Sequence, residues 1–143
     1  NDLKNSPDAA AHHMTASINS DLYIKGDESE IPSICLNLMH NALIHTPAGS
    51  RIDIRWFEKQ GEAQFWVTDN GPGIGSKHIP HLTERFYRVD NSKARNHQST
   101  GLGLAIVKHI CLKHNAEFEI DSEAGQGATF KVIFPAHRTL LED

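Results

Sequence analysis

The segment that decides the fold reads Ile31-Pro32-Ser33-Ile34-Cys35-Leu36-Asn37-Leu38-Met39-His40-Asn41-Ala42-Leu43-Ile44-His45. Its apolar side chains recur three and four residues apart, which predicts one buried face of a helix over residues 28–45. Those side chains are Ile31, Ile34, Cys35, Leu38, Met39 and Ala42. A capping box from Asp27 to Glu30, or Ser29 as the cap, would start the helix, and Thr46-Pro47-Ala48-Gly49 would end it.

A polar stripe runs along this helix beside the apolar face. Asn37 and Asn41 lie four residues apart, with His45 one turn further, so the three share a side of the helix. An asparagine oxygen is a neutral, hard ligand that suits Mg²⁺ together with phosphate oxygens. The alternative is a pair of asparagines that hydrogen-bond a neighbouring loop. The histidine ring has the shape to stack on a flat base.

Two alternating segments follow, over residues 51–56 and 63–68, and Lys59-Gln60-Gly61 predicts a hairpin between them. Asp69 continues the inward phase of the second strand, so its carboxylate is expected to be buried at the strand end. A buried carboxylate needs donors, and the amino group of adenine is one, whereas guanine presents an acceptor there. The alternative is that Asp69-Asn70-Gly71-Pro72-Gly73 is an ordinary turn.

Gly101 and Gly103 precede a second helix, predicted over Gly103–His114 with Asn115 as its left-handed cap. Glycines allow phosphate to approach the backbone, and a helix N-terminus offers free N–H groups. The alternative is a tight entry into the helix. The surrounding segment 77–108 carries six lysines and arginines against two acidic residues. Taken alone, this charge is typical of a mixed surface loop. Together with the glycine motif it favours a small anionic ligand.

The remaining helices and strands are predicted from weaker sequence patterns. Strands are predicted at His12–Ile18, at Leu22–Lys25, around Phe118 and Ile120, and at Phe130–Phe134, with a short helix near Ile79–Phe86. The order of elements predicts an α+β fold: a two-layer α/β sandwich with a mixed, mostly antiparallel sheet covered on one face by helices. We expect residues 1–11 to be a linker or frayed segment, residues 12–137 one domain, and residues 138–143 a C-terminal tail.

Composition excludes several classes of protein. The 143 residues carry a formal charge of −4, which disfavours nucleic-acid binding. The sequence contains no apolar run of membrane-spanning length and no signal peptide. Cys35 and Cys111 lie in helical apolar patterns and are expected to be buried thiols. The ten histidines lack the spacing of a zinc site, and no Ser/His/Asp triad is evident.

Four motifs together carry a family resemblance. They are Asn37-Leu38-x-x-Asn41-Ala42-x-x-His45-Thr46, Asp69-x-Gly71-x-Gly73, Glu84-Arg85-Phe86-Tyr87-Arg88-Val89-Asp90 and Gly101-Leu102-Gly103-Leu104. In order and spacing, over about residues 20–135, they resemble the N, G1, F and G2 boxes of sensor histidine kinases. The resemblance implies a catalytic and ATP-binding domain with the Bergerat-type fold of Hsp90, MutL and gyrase. The F box of this chain has Thr83 in place of the usual first Phe. In this respect it resembles the subgroup of sensor histidine kinases that signals phosphate starvation.

The resemblance also implies a role for each residue. Mg²⁺ would be held by Asn41 and Asn37, and the catalytic residues would be Asn41 and Arg88. The expected contacts to ATP are Asn37, Asn41, His45, Asp69, Gly71, Gly73, Ile74, Phe86, Tyr87, Arg88, Thr100, Gly101, Leu102, Gly103 and Leu104. Residues 90–100 would form a lid. Two departures stand out: Ile44 replaces a frequent Lys or Arg, and Ser99 replaces a common glycine.

The implied reaction is transfer of the γ-phosphate of Mg-ATP to a histidine, for relay to a response regulator. Hsp90-like ATPases have a glutamate base where this chain has Asn37, and an amide cannot take a proton from water. No histidine here is followed by an acidic residue. The acceptor is therefore expected in an upstream dimerisation domain of a homodimeric inner-membrane protein, with this chain as a cytoplasmic part. The alternative is a non-catalytic nucleotide-binding module or clamp.

Overall fold

The computed structural model describes residues 12–84 and 103–142. Their helices and strands follow in the order β1 (His13–Ile18), β2 (Leu22–Ile24), α1 (Glu30–His45), β3 (Arg51–Lys59), β4 (Glu62–Asp69), α2 (Gly103–Lys113), β5 (Glu117–Ser122), β6 (Ala128–Ile133) and β7 (Thr139–Leu141). Single 3₁₀ turns lie at Ile79–His81 and Ala136–Arg138. Within the described part of the chain, no helix is long and apolar enough to cross a bilayer.

The start of α1 is fixed by Asp27. One carboxylate oxygen of Asp27 accepts the backbone N–H groups of Ser29 at 2.8 Å and Glu30 at 3.1 Å, which satisfies donors of the first turn. Hydrogen bonds from the Ser29 hydroxyl and these two amides lower the pKa of Asp27. Glu30 does not complete the predicted capping box with its side chain, because its carboxylate pairs with Lys113 at 2.6 Å. That ion pair links the beginning of α1 to the end of α2.

Five strands form the main sheet in the order β1-β3-β4-β6-β5. The β3–β4 hairpin turns through Gln60 and Gly61, whose φ angles of 54° and 83° are those of a tight two-residue turn. β1 runs parallel to β3, because α1 lies between them in sequence and returns the chain to the same end of the sheet. The other neighbouring strands are antiparallel. The predicted mixed, mostly antiparallel sheet is confirmed.

The hydrophobic core lies between the sheet and the two helices. Its fully buried members include Ile34 and Leu38 of α1, Val107 of α2, and Ile52 and Val67 of the sheet. These strand residues follow one phase of the alternation, so the helices cover one face only, as predicted. The α+β sandwich is therefore confirmed.

Both cysteines are free thiols, as predicted. Burial raises the pKa of Cys35 to about 11 and that of Cys111 to about 12. Asn115, with φ of 58°, takes the left-handed conformation expected after α2.

Two elements differ from the sequence predictions. The segment 138–143, expected to be a tail, contains β7, which pairs with β2 in a separate two-stranded sheet. The Thr139 hydroxyl accepts the N–H of Ala63 at 3.0 Å, so this segment is tied to the main sheet. The helix predicted over Ile79–Phe86 is only the 3₁₀ turn Ile79–His81 in the described residues, closed by i→i+3 bonds such as that from the Leu82 N–H to the Ile79 carbonyl.

Candidate nucleotide-binding site

The amide group of Asn37 is oriented by the preceding turn of α1. Its nitrogen donates to the Ser33 carbonyl at 2.8 Å and to the Ser33 hydroxyl at 3.1 Å. Because a carbonyl only accepts hydrogen bonds, the nitrogen faces Ser33 and the oxygen faces away. A Cβ built on Gly103 would lie 3.2 Å from that oxygen. The first residue of α2 therefore approaches α1 at Asn37, and its lack of a side chain leaves room there.

The polar stripe continues along α1 as the sequence predicted. Asn41 follows one turn after Asn37 and is half-buried, and His45 is the exposed last residue of the helix. Thr46 comes next and is buried, and its hydroxyl donates to the Ala42 carbonyl at 2.7 Å. The stripe thus runs from the N-terminus of α2 to the C-terminal end of α1.

Asp69 is buried at the end of β4, with 8% of its surface exposed, so the inward orientation predicted from strand alternation is confirmed. Its carboxylate accepts the backbone N–H of Gly71 at 2.9 Å. Burial raises its pKa above the ordinary aspartate value, against the lowering effect of hydrogen bonds from the amides of Gly71 and Ala128. Carboxyl groups with perturbed pKa values cluster at functional sites, which makes Asp69 a candidate site residue.

The loop that follows Asp69 packs on the end of α1. A Cβ on Gly71 would lie 2.7 Å from the Thr46 methyl group and 3.1 Å from an Asp69 carboxylate oxygen. Only glycine permits this approach, because real Cβ atoms do not come so close to other atoms. Asp69 and the end of α1 are thereby held side by side.

The same loop rests on the turn between β5 and β6. Gly73 has φ of 74°, and a Cβ there would overlap the carbonyl oxygen of Glu123. Gly127 has φ of 81°, and a Cβ there would overlap the carbonyl oxygen of Asp69. The Gly125 N–H donates to the Pro72 carbonyl at 2.5 Å. Backbone meets backbone at each of these points, so loop 70–74 and turn 123–127 form one packed unit beneath Asp69.

Among the predicted site residues that the structure describes, several lie against α1 or against Thr46, which follows it. Gly103 lies beside Asn37, while Asp69 and Gly71 lie beside Thr46, with Gly73 and Ile74 in the same loop. Leu104 is 9% exposed and belongs to the hydrophobic core. Six further predicted residues lie outside the described part of the chain: Phe86, Tyr87, Arg88, Thr100, Gly101 and Leu102.

Open depressions lie on the surface of the part of the chain that the structure describes. One of about 390 Å³ is lined by Asp69, Ser122, Gly127 and their neighbours at the same end of the sheet. The other, of about 460 Å³, lies between α2 and β5 and contains none of the predicted site residues. Of the predicted site residues that the structure describes, only Asp69 lines the smaller depression, which also includes Thr68 and Thr129 from the face of the sheet away from the helices.

Sequence reasoning missed the residues of β5 and β6 that support the site. Ser122, Gly127 and Ala128 all contact the loop after Asp69 or Asp69 itself. The Gly125-Gln126-Gly127 sequence predicted only a turn, and nothing in its local pattern indicates which distant loop it contacts.

Comparison with known proteins identifies the family. Residues 26–138 match the family described as "Histidine kinase-, DNA gyrase B-, and HSP90-like ATPase". The chain belongs to this ATPase family. The resemblance to sensor histidine kinases inferred from the four motifs is confirmed by two kinds of relative.

Among curated proteins, the chain is 46% identical over 123 residues to the phosphate regulon sensor protein PhoR of Pseudomonas aeruginosa. The match covers 86% of this chain and 28% of that relative. The chain thus spans less than a third of the length of this curated relative of the ATPase family.

Solved structures with a similar fold include sensor histidine kinases. The mycobacterial sensor histidine kinase MprB superposes with a TM-score of 0.79 at 27% identity, over 94% of this chain and 87% of that one. Full-length ShkA in complex with AMPPNP superposes with a TM-score of 0.78 at 26% identity, over 99% of this chain and 28% of that one.

Proposed function

We propose that this chain is the catalytic ATP-binding domain of a sensor histidine kinase that signals phosphate starvation. It would transfer the γ-phosphate of ATP to a histidine in an upstream dimerisation domain, for relay to a response regulator. The observation that supports this proposal best is that one helix, α1, meets Gly103 through Asn37 and the Asp69 loop through Thr46. The similarity to PhoR supports the phosphate signal.

The base would bind at Asp69. Its carboxylate already accepts the backbone amides of Gly71 and Ala128, and burial at the end of β4 raises its pKa. The amino group of adenine supplies a further donor, while the carbonyl of guanine would face the carboxylate as a second acceptor. Asp69 would therefore select ATP over GTP, and His45 at the end of α1 would stack on the ring.

The phosphates would bind between α1 and the N-terminus of α2. The Asn37 oxygen faces Gly103, so a hard oxygen donor is presented where the free N–H groups of α2 begin. This donor set fits Mg²⁺, which Asn37 and Asn41 would hold. The ion would offset the negative charge of the phosphates. Thr100, Gly101, Leu102 and Arg88 would complete the phosphate contacts.

The chemistry would be direct transfer rather than hydrolysis. An imidazole nitrogen of the acceptor would form a bond to the γ-phosphorus while the bond to the ADP oxygen breaks. Asn37 cannot act as a general base for water, because its amide accepts no proton and its nitrogen is already bound to Ser33. The chain's own part would be to align the γ-phosphate for an incoming nucleophile.

The chain would work as part of a longer protein. We take the domain to run from residue 12 to the end of β7, preceded by a linker, on the cytoplasmic side of an inner-membrane homodimer. The short share of PhoR that the chain covers supports further domains in the full-length protein.

The test is phosphoryl transfer in trans. The chain is incubated with γ-labelled ATP, Mg²⁺ and the purified dimerisation domain of the full-length protein, and acid-labile, base-stable label on that domain is measured. Label should appear on the acceptor and be lost when its histidine is replaced by alanine. Tight ATP binding without any label on the acceptor would instead establish the non-catalytic module.

Replacing Asn41 by aspartate tests the metal role. The added negative charge would lie beside the phosphates of ATP, in a site whose ligands from α1 are neutral amides, and would repel the nucleotide. We expect the affinity for Mg-ATP, measured by calorimetry, to fall at least about tenfold.

The matched control is Leu36→Asp, which adds the same charge to α1 at a position that is 49% exposed. This variant should bind Mg-ATP within about twofold of the unsubstituted chain. Equal affinities for the two variants would remove Asn41 from the metal site.

A further inference from the structure

Ser122 joins two segments of the site through its side chain. Its hydroxyl donates to the Gly127 carbonyl at 2.7 Å and accepts the N–H of Ile74 at 2.8 Å. Ser122 is the last residue of β5 and follows the inward phase of Phe118 and Ile120. The hydroxyl therefore bridges turn 123–127 to loop 70–74 on the helix-covered face of the sheet.

The two ends of this bridge both lead to Asp69. Gly127 packs directly against the Asp69 carbonyl, and loop 70–74 contains the Gly71 amide that donates to the Asp69 carboxylate. The other links between loop and turn use backbone atoms, as at Gly73 and at the Pro72 carbonyl. The Ser122 bridge is the link among these that a change of side chain can remove.

We propose that Ser122 is a positioning residue of the nucleotide site, which holds loop 70–74 in the conformation that orients Asp69 before ATP arrives. The inference rests on the proposed function and extends it to a residue outside the four motifs. Without the hydroxyl, the Ile74 N–H loses its acceptor and the loop must become ordered when ATP binds. The cost of that ordering then appears as lost affinity.

The test compares Ser122→Ala with two other variants. Ser122→Thr keeps a hydroxyl on the same strand position. Thr129→Ala removes a hydroxyl from β6 on the other face of the sheet, where it lies 3.2 Å from the Thr68 hydroxyl. Calorimetry gives the affinity for Mg-ATP, amide exchange followed by NMR reports on Ile74, and urea unfolding reports on overall stability.

We expect Ser122→Ala to weaken Mg-ATP binding about five- to tenfold. It should also speed exchange of the Ile74 amide more than that of core amides in α1. Ser122→Thr should restore both properties, and Thr129→Ala should change neither by more than about twofold.

Unchanged affinity in Ser122→Ala would overturn the positioning role, as would faster exchange spread evenly over the core, which is the signature of simple destabilisation. Failure of the proposed function looks different, because the unsubstituted chain itself would then fail to bind Mg-ATP. That result would overturn the positioning role together with the function.

Discussion

Replacing Asp69 by asparagine is expected to abolish most of the preference for ATP over GTP. The asparagine amide has the size of the carboxylate but offers a donor as well as an acceptor, so the carbonyl of guanine is no longer rejected. The ratio of ATP to GTP affinity should fall roughly 10- to 100-fold, the value of a charge-assisted hydrogen bond left unmade. Calorimetric titration with both nucleotides measures it.

Asp53→Asn is the matched control. Asp53 lies on the neighbouring strand β3 and pairs with the Thr15 hydroxyl at 2.7 Å on the face away from the helices. The Asp53→Asn substitution removes one negative charge near the end of the sheet where Asp69 lies, and it should leave the ratio of ATP to GTP affinity unchanged. An unaltered ATP preference in Asp69→Asn would exclude Asp69 from the base site.

Lowering the pH should change ATP affinity and protein stability in opposite directions through the protonation of Asp69. Because burial raises its folded-state pKa, the folded chain binds this proton more tightly than the unfolded chain. The contribution of Asp69 to stability therefore rises as pH falls through the raised pKa towards the ordinary value. Affinity for ATP falls over the same interval, since the protonated carboxyl is a poorer acceptor. This part of the pH dependence should be missing in Asp69→Asn.

Replacing Gly127 by alanine is expected to cause a large loss of stability. The alanine would have to adopt φ of 81°, and its Cβ would overlap the carbonyl oxygen of Asp69 and lie 3.1 Å from the Asn70 Cα. Neighbouring backbone must move, so the free energy of unfolding should fall by about 3 kcal/mol or more. Urea unfolding followed by tryptophan fluorescence measures it.

The Gly125→Ala variant distinguishes the cost of a positive φ angle in alanine from the cost of steric overlap by the new Cβ atom. Gly125 has φ of 82°, nearly that of Gly127, but no atom of residues 12–84 or 103–142 lies within 4 Å of its Cβ position. This variant should lose only about 1 kcal/mol, the conformational cost alone. Equal losses in the two variants would show that contact with Asp69 contributes nothing.

Local periodicity predicted the parts of the site that lie within one element. The three- and four-residue spacing in α1 aligned Asn37 with Asn41, and the two-residue alternation in β4 placed Asp69 inside. Both depend on geometry that repeats within a segment, and both are confirmed. The assignments of Arg88 and Gly101 fall outside the described residues and remain predictions.

Contacts between distant segments were not predictable in this way. The pairing of β7 with β2 joins three-residue strands that are too short to show a period. The parallel pairing of β1 with β3 follows from the path of α1, and the Ser122 bridge joins loops 48 residues apart in sequence. Each depends on how separate elements meet in space, which one sequence does not display.

The span of α1 has a consequence for how the protein handles a long ligand. Thr46 directly follows the last residue of α1 and lies nine residues beyond Asn37, which separates the two by about 13.5 Å along the helix axis. This stretch of helix is stiff, so the contact points at the middle of α1 and just past its C-terminal end keep a constant spacing. Under the proposed function, this fixed spacing would favour ligands of one length, and adjustment to different nucleotides would come from the segments that surround α1.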